Sequence, residues 1–302
     1  MTAKNINHFL SSELCNGDPK SSRFHIIPAP LEKSVSYGIG TSLGPSAILA
    51  AYEQLELLSS ESYPHHSGIH TQDPVDPDLR TPDFLLELEN RALFALKQGA
   101  VPITLGGEHT VSFAPISACV KEYGEPIGVI QFDAHADLRR NFQGSPYSHA
   151  SVMLRAVEEL NVSLFQIAVR AFCEEEKNFR LLHQVGALDA PVLHKELRTL
   201  GKVDILPRIE QAFPSGFPKK IYISFDVDGF DASFMPATGT PVPGGLFWPE
   251  TISILQELAS VFTIVGLDVV ELAPISYLPY CNFAAAQLVY DIMGFISSRN
   301  SL

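Results

Sequence analysis

The chain has 302 residues, of which 34 are acidic and 21 basic, so its formal net charge is −13 at pH 7. This length accommodates one large α/β domain or two smaller ones. The excess of acid argues against a nucleic-acid partner, because proteins that bind nucleic acids carry basic surfaces. It is compatible with a cationic small substrate, although net charge also serves simply to keep a protein soluble.

Targeting and redox signals are absent from the sequence. The N-terminal residues 1–14 contain no apolar segment of signal-peptide length, and there is no apolar run of 18 residues anywhere. We therefore predict a cytoplasmic protein with no membrane partner and with reduced thiols. Its four cysteines are scattered, without a CxxC pair: Cys15, Cys119, Cys173 and Cys281.

The first half of the chain predicts strands alternating with helices. Residues 1–22 are polar and predict a loop or arm. A first strand at 24–27 is expected to stop at Pro28, and Pro45 favours the start of a helix that reaches about residue 58. The remaining elements are an irregular stretch at 64–82 with a short strand near Ile69, a helix at 84–98, a strand at 101–105 and a helix to about 123.

The second half continues the same alternation. The predicted strands are at 127–132, 164–169, 220–225 and 262–270, with one short strand after residue 184. The predicted helices are at 148–160, 174–184, 248–260 and 281–297, with a further helix after the short strand. Such alternation predicts a single α/β domain over residues 1–302, with three α/β/α layers and a mostly parallel sheet.

Three ligand-type side chains directly follow the predicted strand at 127–132: Asp133, His135 and Asp137. Their spacing of two residues places all three on one side of an extended backbone. Desolvating two carboxylates and an imidazole together is costly without a cation. On their own, these residues fit a metal site and a polar loop with turn-capping Asp side chains equally well.

Other predicted strand ends carry the same types of side chain. His109, the pair Asp226 and Asp228, and Glu271 each follow a strand. Because ligands in such sheets bind beyond the carboxyl ends of the strands, four strands would deliver acids or imidazoles to one edge. Chance placement of turn residues does not readily explain that convergence, so the sequence favours a metal centre.

The composition of this cluster indicates the ion and the chemistry. Two His and four Asp favour a hard divalent ion, Mn²⁺ before Zn²⁺. Six side chains exceed what one ion needs, whereas bridging carboxylates hold two ions ~3.5 Å apart. Two ions sharing a water lower its pKa and supply a hydroxide nucleophile, which predicts hydrolysis at an electrophilic carbon.

Other residues near these strand ends admit two interpretations each. His149, at the start of a predicted helix, is a proton shuttle or a structural residue. Glu271 pairs with a substrate cation or acts as a cap, and Asp231 is expected to cap the turn of its loop. The glycines at 106–107 permit close backbone approach behind His109, but no Lys follows them as in a phosphate-binding loop.

Short blocks with recognisable motifs lie at residues 40–45, 106–110, 132–137, 148–149, 224–231, 236–245 and 267–271. In this order they resemble the signature blocks of the ureohydrolase (arginase/agmatinase) family. The resemblance covers about residues 38–298 and implies an arginase-like fold with two Mn²⁺ per subunit. It also implies a homo-oligomer, a trimer or hexamer.

The resemblance also implies a division of roles. A bridging hydroxide would attack a guanidinium carbon, and the tetrahedral intermediate would collapse to urea and an amine. His149 matches the family's proton-shuttling histidine, Glu271 the acid that pairs with the guanidinium, and Thr240 a residue of the substrate pocket. One ion would be held by His109, Asp133, Asp137 and Asp226, and the other by Asp133, His135, Asp226 and Asp228.

Arg139 bears on the choice of substrate. Arginases carry Asn two residues after the second Asp of the 132–137 block, where it helps to hold the α-carboxylate, and this chain has Arg139 there. The pattern is therefore more like that of agmatinases and predicts hydrolysis of agmatine to urea and putrescine. Formimidoylglutamases resemble this stretch in carrying an Arg, which can bind an acidic tail. They, guanidinobutyrases, arginases and a non-catalytic metal-binding relative stay open as alternatives.

Overall fold

The computed structural model describes residues 8–59, 62–200, 207 and 211–298 of the chain. The strands are β1 (Phe24–Ala29), β2 (Ile69–Thr71), β3 (Val101–Gly106), β4 (Gly128–Phe132), β5 (Ser163–Ile167), β6 (Gly186–Leu188), β7 (Lys220–Asp226) and β8 (Thr263–Val270). The α-helices are α1 (Gly44–Tyr52), α2 (Thr81–Lys97), α3 (Phe113–Tyr123), α4 (Val152–Leu160), α5 (Glu174–Leu182), α6 (Ala190–Leu200), α7 (Trp248–Val261) and α8 (Pro279–Ser298).

These strands form one sheet in the order β2-β1-β3-β8-β7-β4-β5-β6. Every pair of neighbours in it is parallel. Because each return to a parallel strand needs a crossover, helices cover the sheet. The predicted α/β class with a mostly parallel sheet is confirmed.

Two clusters of buried apolar side chains lie on opposite faces of the sheet. One includes side chains of α1, α7 and α8, such as Leu288, and the other includes side chains of α2, α3 and α4, such as Phe84. Within β4, Ile130 belongs to the first cluster and Val129 to the second, as the alternation of strand side chains requires. The arrangement is therefore the predicted three layers, and it leaves the strand ends as the place where polar side chains can gather.

The first strand continues past the point predicted for its end. β1 runs through Pro28 to Ala29, with Pro28 in register with Leu105 of β3. Pro28 lacks an N–H on the side of β1 that faces β2. No donor is needed there, because the pairing of β2 with β1 ends at Ile26. The carbonyl oxygen of Pro28 instead accepts the Val75 N–H at 3.0 Å. A proline is tolerated where no sheet hydrogen bond needs its missing donor.

One other prediction for the N-terminal part is wrong. The helix expected to reach about residue 58 ends at Tyr52, and the leucines that extended its apolar pattern lie beyond it. Residues 1–7 of the predicted arm lie outside the described residues. In the rest of that stretch Phe9 and Leu10 are buried, and the Phe9 ring lies 4.3 Å from the ring of Tyr52. The described residues 8–22 therefore form a loop, as predicted, and this loop packs against the core.

In the described ranges, no helix has the length and apolar character needed to cross a membrane. All four cysteines are free thiols, as expected.

Candidate metal centre and active site

The six predicted ligand side chains meet at the carboxyl edge of four central strands, β3, β8, β7 and β4. A short 3-10 helix after β3 begins with one of them, three follow β4, one ends β7 and one lies just beyond it. All except His135 are buried. They are His109, Asp133, His135, Asp137, Asp226 and Asp228.

Around His109, three carboxylates surround one imidazole nitrogen. Its Nδ1 lies 3.1 Å from Asp133 Oδ2, 3.0 Å from Asp137 Oδ2 and 3.3 Å from Asp226 Oδ2. One ligand atom from each of His109, Asp133 and Asp226 can be chosen so that all lie within 4.8 Å of one another. This group has the size of a metal-binding site.

A second group shares one carboxylate with the first. His135 Nδ1 lies 3.0 Å from Asp228 Oδ2 and 3.5 Å from Asp133 Oδ1. Asp133, His135 and Asp228 also offer ligand atoms within 4.8 Å of one another. Because Asp133 turns Oδ2 to the first group and Oδ1 to the second, its carboxylate can bridge two ions.

The hydrogen bonds behind His109 determine what its Nδ1 needs. Ser224 donates its hydroxyl to Asp268 Oδ1 at 2.9 Å, so Ser224 must accept from His109 Nε2–H, which is also 2.9 Å away. In a neutral imidazole the Nδ1 lone pair is then aimed at carboxylate oxygens. The lone pairs of His109 Nδ1 and of the carboxylate oxygens repel each other in this buried site unless a cation lies between them. The imidazole and carboxylate donors therefore fit a metal ion.

The crowding of carboxylates around the two imidazoles also shifts the pKa values of the cluster. Burial lowers the pKa of His109, but Asp133, Asp137 and Asp226 raise it well above the ordinary value. Burial raises the pKa of Asp226, and the charges of Asp228 and Asp133 raise it further. For His135, burial lowers the pKa while Asp228 and Asp133 raise it, to about 12. The carboxylates are crowded enough to hold extra positive charge.

Two site residues have left-handed backbone: Asp137, with φ 53°, and Glu271, with φ 63°. This conformation costs a residue with a side chain about 1–2 kcal/mol. Asp137 is held there because its carbonyl accepts the first N–H groups of α4, from Met153 at 3.1 Å and Leu154 at 3.2 Å. Glu271 is held by its N–H, which donates to the Gly107 carbonyl at 2.8 Å. The surrounding fold therefore stabilises strained backbone at the site.

Glu271 and His149 lie at the same cavity as the cluster. Glu271 Oε1 accepts the backbone N–H of His109 at 2.7 Å, and burial raises the pKa of Glu271. Burial also lowers the pKa of His149, Glu108 raises it, and the two nearby imidazoles lower it further. The cavity is lined by both residues together with His135, Asp137 and Asp226.

Thr240 and Arg139 occupy different parts of the site. Thr240 donates its hydroxyl to Asp228 Oδ2 at 3.3 Å, so it contacts a candidate ligand as well as the cavity. The Arg139 guanidinium lies 5.4 Å from the centre of the Phe142 ring. It lines an adjoining cavity of about 280 Å³ that continues outward from His149 and Asp137.

Ser34 and Glu108 have no predicted role, yet both belong to the site. Buried Glu108 accepts the N–H groups of Lys33 and Ser34 at 2.6 Å each, and the Ser34 hydroxyl at 2.9 Å. Ser34 Oγ in turn lies 3.2 Å from His149 Nδ1. For Glu108 the available signal was its place between Gly107 and His109, whereas no motif marks Ser34.

Two minor predictions are confirmed. Asp231 caps its loop: Oδ1 accepts the Ser233 N–H at 2.9 Å and Oδ2 the Gly245 N–H at 3.2 Å. The backbone does pass close behind His109, because a Cβ on Gly107 would lie only 2.1 Å from the Leu31 carbonyl oxygen.

Comparison with known proteins agrees with this architecture. A model of the arginase family matches residues 22–294. The chain is 34% identical over 279 residues to N(1)-aminopropylagmatine ureohydrolase of Synechocystis sp., covering 89% of this chain and 88% of that protein. It is 29% identical over 291 residues to agmatinase of Pyrococcus horikoshii, covering 93% and 95%. The structure of a hypothetical agmatinase from Burkholderia thailandensis superposes with a TM-score of 0.83 at 26% identity, covering 100% of this chain and 94% of that one.

A parallel α/β sheet with a His/Asp cluster beyond its central strands defines a protein whose site can hold metal ions. The chain belongs to the arginase family and is a ureohydrolase, a hydrolase that acts on guanidino groups.

Proposed function

We propose that the protein is a binuclear manganese ureohydrolase that hydrolyses the guanidinium group of agmatine to urea and putrescine. The observation that carries this proposal is the bridging geometry of Asp133, with one oxygen turned to His109 and the other to His135. A single metal ion would not need a carboxylate shared in this way.

One ion would be held by His109, Asp133, Asp137 and Asp226, and the other by Asp133, His135, Asp226 and Asp228. A donor set of four carboxylates and two imidazoles, without thiolate, favours Mn²⁺ over softer ions. Two such ions would supply Lewis acidity and lower the pKa of a bound water.

Glu271 has the position and charge to orient the substrate. Its Oε1 is used by the His109 N–H, which leaves Oε2 for a partner in the cavity. A guanidinium offers only N–H donors and matches a carboxylate oxygen in geometry and charge. Glu271 would therefore hold the guanidinium carbon close to the metal ligands.

His149 is prepared to move a proton because its tautomer is determined by Ser34. Since Ser34 gives its hydroxyl hydrogen to Glu108, Ser34 Oγ must accept from His149 Nδ1–H. Neutral His149 then carries its lone pair on Nε2. The lowered pKa of His149 keeps the imidazole neutral near pH 7, so Nε2 can take a proton and deliver it to the departing amine.

The adjoining cavity of about 280 Å³ would receive the tail of the substrate. Its continuation beyond the cluster favours a second candidate, N(1)-aminopropylagmatine, on which the Synechocystis relative acts by name. Arg139 lines this cavity and forms no ion pair with any described residue, so it would match the carboxylate of an acid-tailed guanidino compound. The tail pocket is the part of the site that selects among these substrates.

The test is urea release by the full chain loaded with Mn²⁺, from agmatine, N(1)-aminopropylagmatine, arginine and 4-guanidinobutyrate. We expect agmatine or its aminopropyl derivative to have the highest kcat/KM. Absence of urea from all four would contradict the enzyme proposal, and reaction of 4-guanidinobutyrate alone would contradict a cationic tail.

Two kinds of variant separate the roles of the site residues. Asp133→Asn or Asp226→Asn should abolish Mn²⁺ binding and turnover together, because each carboxylate serves both proposed ions. His149→Ala should lower turnover while both ions remain bound. Loss of both ions from the His149 variant would contradict the shuttle role.

A further inference from the structure

A chain of buried side chains leads from the protein edge to the carboxylate shared by the two ligand groups. Arg180 Nε donates to Gln166 Oε1 at 2.6 Å, Gln166 Nε2 donates to Gln131 Oε1 at 2.5 Å, and Gln131 Nε2 donates to Asp133 Oδ2 at 2.6 Å. At the outer end, Arg180 Nη1 lies 3.0 Å from both oxygens of Asp189. We call Arg180, Gln166 and Gln131 the amide relay.

The sheet register builds this relay. Gln131 of β4 and Gln166 of β5 are directly paired in register, so their side chains are neighbours across two strands. Gln131 and Asp133 are two residues apart and share a side of the backbone. Both glutamines are fully buried in the middle of a parallel sheet, where apolar side chains normally lie. Burying an amide there costs free energy unless every polar group is paired.

Arg180 helps to determine which end of each glutamine amide faces the next residue of the relay. A guanidinium has no acceptor, so Gln166 must turn its oxygen to Arg180 and its Nε2 to Gln131. Gln166 Nε2 also donates to the Ala136 carbonyl at 2.7 Å, which rules out the reversed amide. Gln131 must then accept with Oε1 and present Nε2 to Asp133. The orientation of both amides, and of the donor at Asp133, follows from Arg180 together with the Ala136 carbonyl.

The relay ends at Asp133, the carboxylate that both groups of candidate metal ligands share. Asp133 Oδ2 receives Gln131 Nε2, and Oδ1 receives the His135 N–H at 2.6 Å. Two donors, one on each oxygen, hold the carboxylate so that Oδ2 faces the His109 group and Oδ1 faces the His135 group. The positive charge of Arg180 is offset by Asp189, so the effect is one of orientation rather than of net charge.

We propose that the amide relay consists of positioning residues that hold Asp133 in its bridging orientation and thereby increase the affinity of the metal centre. This inference rests on the proposed function, because it concerns the same two ions. Outer partners of metal ligands typically change metal affinity 10- to 100-fold.

The experiment measures Mn²⁺ binding to the metal-free full chain by isothermal titration calorimetry, with thermal unfolding measured alongside. Gln131→Leu removes the donor to Asp133 at similar volume, and Arg180→Met removes the cation at the far end without touching any candidate ligand. Gln131→Leu should weaken Mn²⁺ binding at least about tenfold, and Arg180→Met, which leaves the hydrogen bond from Gln166 to Ala136 in place, should weaken it by a smaller factor. Arg180→Lys, which keeps a donor for Gln166, should recover most of the affinity.

Ile130→Val is the matched control, because it removes a buried methylene from the same strand without touching the relay. It should lower the unfolding temperature but leave Mn²⁺ affinity unchanged. Wild-type affinity in both Gln131→Leu and Arg180→Met would overturn the proposal, as would an equal loss in Ile130→Val. Failure of the wild-type chain to bind Mn²⁺ would instead refute the metal centre itself, and the relay with it.

Discussion

Replacing Glu271 by Gln removes one charge from the site and changes little else. The Gln oxygen can keep the 2.7 Å hydrogen bond from the His109 N–H that Glu271 Oε1 accepts. The change is then confined to the second oxygen, which becomes an NH₂ group. The backbone need not move, because φ stays at the left-handed value already imposed by the Gly107 carbonyl.

The expected loss follows from the chemistry of that second atom. A hydrogen bond between a carboxylate and a guanidinium contributes about 1.5–3 kcal/mol. The amide nitrogen of Gln offers only N–H donors, which cannot accept the N–H groups of a guanidinium. A loss of about 2–3 kcal/mol corresponds to a kcat/KM lower by roughly 30- to 150-fold. Because burial raises the pKa of Glu271, agmatine binding to the wild type should strengthen as pH rises and the carboxyl ionises. That pH dependence should be missing from the variant.

The assay is urea release from agmatine at several pH values, with bound Mn²⁺ quantified in each preparation. Asp291→Asn is the matched control. Asp291 is another buried carboxyl, but it lies in α8 and lines neither cavity, and its Oδ1 accepts the Ser59 hydroxyl at 2.6 Å and the Gln287 Nε2–H at 2.8 Å. Its substitution should lower stability and leave KM for agmatine nearly unchanged. A Glu271→Gln enzyme with full Mn²⁺ content and kcat/KM within about threefold of wild type would refute the reasoning.

Three further predictions concern neighbouring features. Ser34→Ala removes the acceptor that sets the His149 tautomer, so kcat should fall about 3- to 10-fold with Mn²⁺ content unchanged, and an unchanged kcat would contradict the shuttle geometry. Burial lowers the pKa of His25 from 6.5 to about 4, so the stability contributed by its neutral form is complete above pH 6.5 and is lost as pH falls. Between pH 7 and 5, the free energy of unfolding of the metal-free wild type in urea should therefore drop about 2 kcal/mol more than that of His25→Gln, and parallel pH curves would exclude this assignment. Gly107→Ala places a methyl group against the Leu31 carbonyl and should destabilise the protein by about 1–3 kcal/mol in thermal unfolding, whereas wild-type stability would show that the backbone can move apart there.

The sequence predicts most of the fold because its signals are local. Apolar runs of strand length alternate with helical periodicity, and a parallel sheet with helices on both faces follows from that alternation. The boundaries that failed depend on neighbours. Pro28 stays in β1 because β2 ends before it, and the leucines after Tyr52 leave the helical pattern where the chain turns. The single-domain organisation and the trimeric or hexameric assembly stay predictions.

The sequence also predicts the main residues of the candidate site, but not the residues behind them. Acids and imidazoles at strand ends mark an edge of the sheet, and the residues expected to converge do so. Glu108 and Ser34 were not predicted because no local sequence pattern indicates a contact between residues 74 positions apart. The sequence likewise gives no reason for Gln131 and Gln166 to meet.

Which strand end carries each ligand-type side chain follows from the amino-acid sequence alone, since it depends only on where apolar runs stop. The strand order that places β8 between β3 and β7 arises from the packing of the complete fold. That order brings Glu271 to the His109 backbone, and the register of β4 with β5 joins the two glutamines behind Asp133. Pairing between distant strands depends on how whole faces pack together, and no single stretch of sequence contains that information.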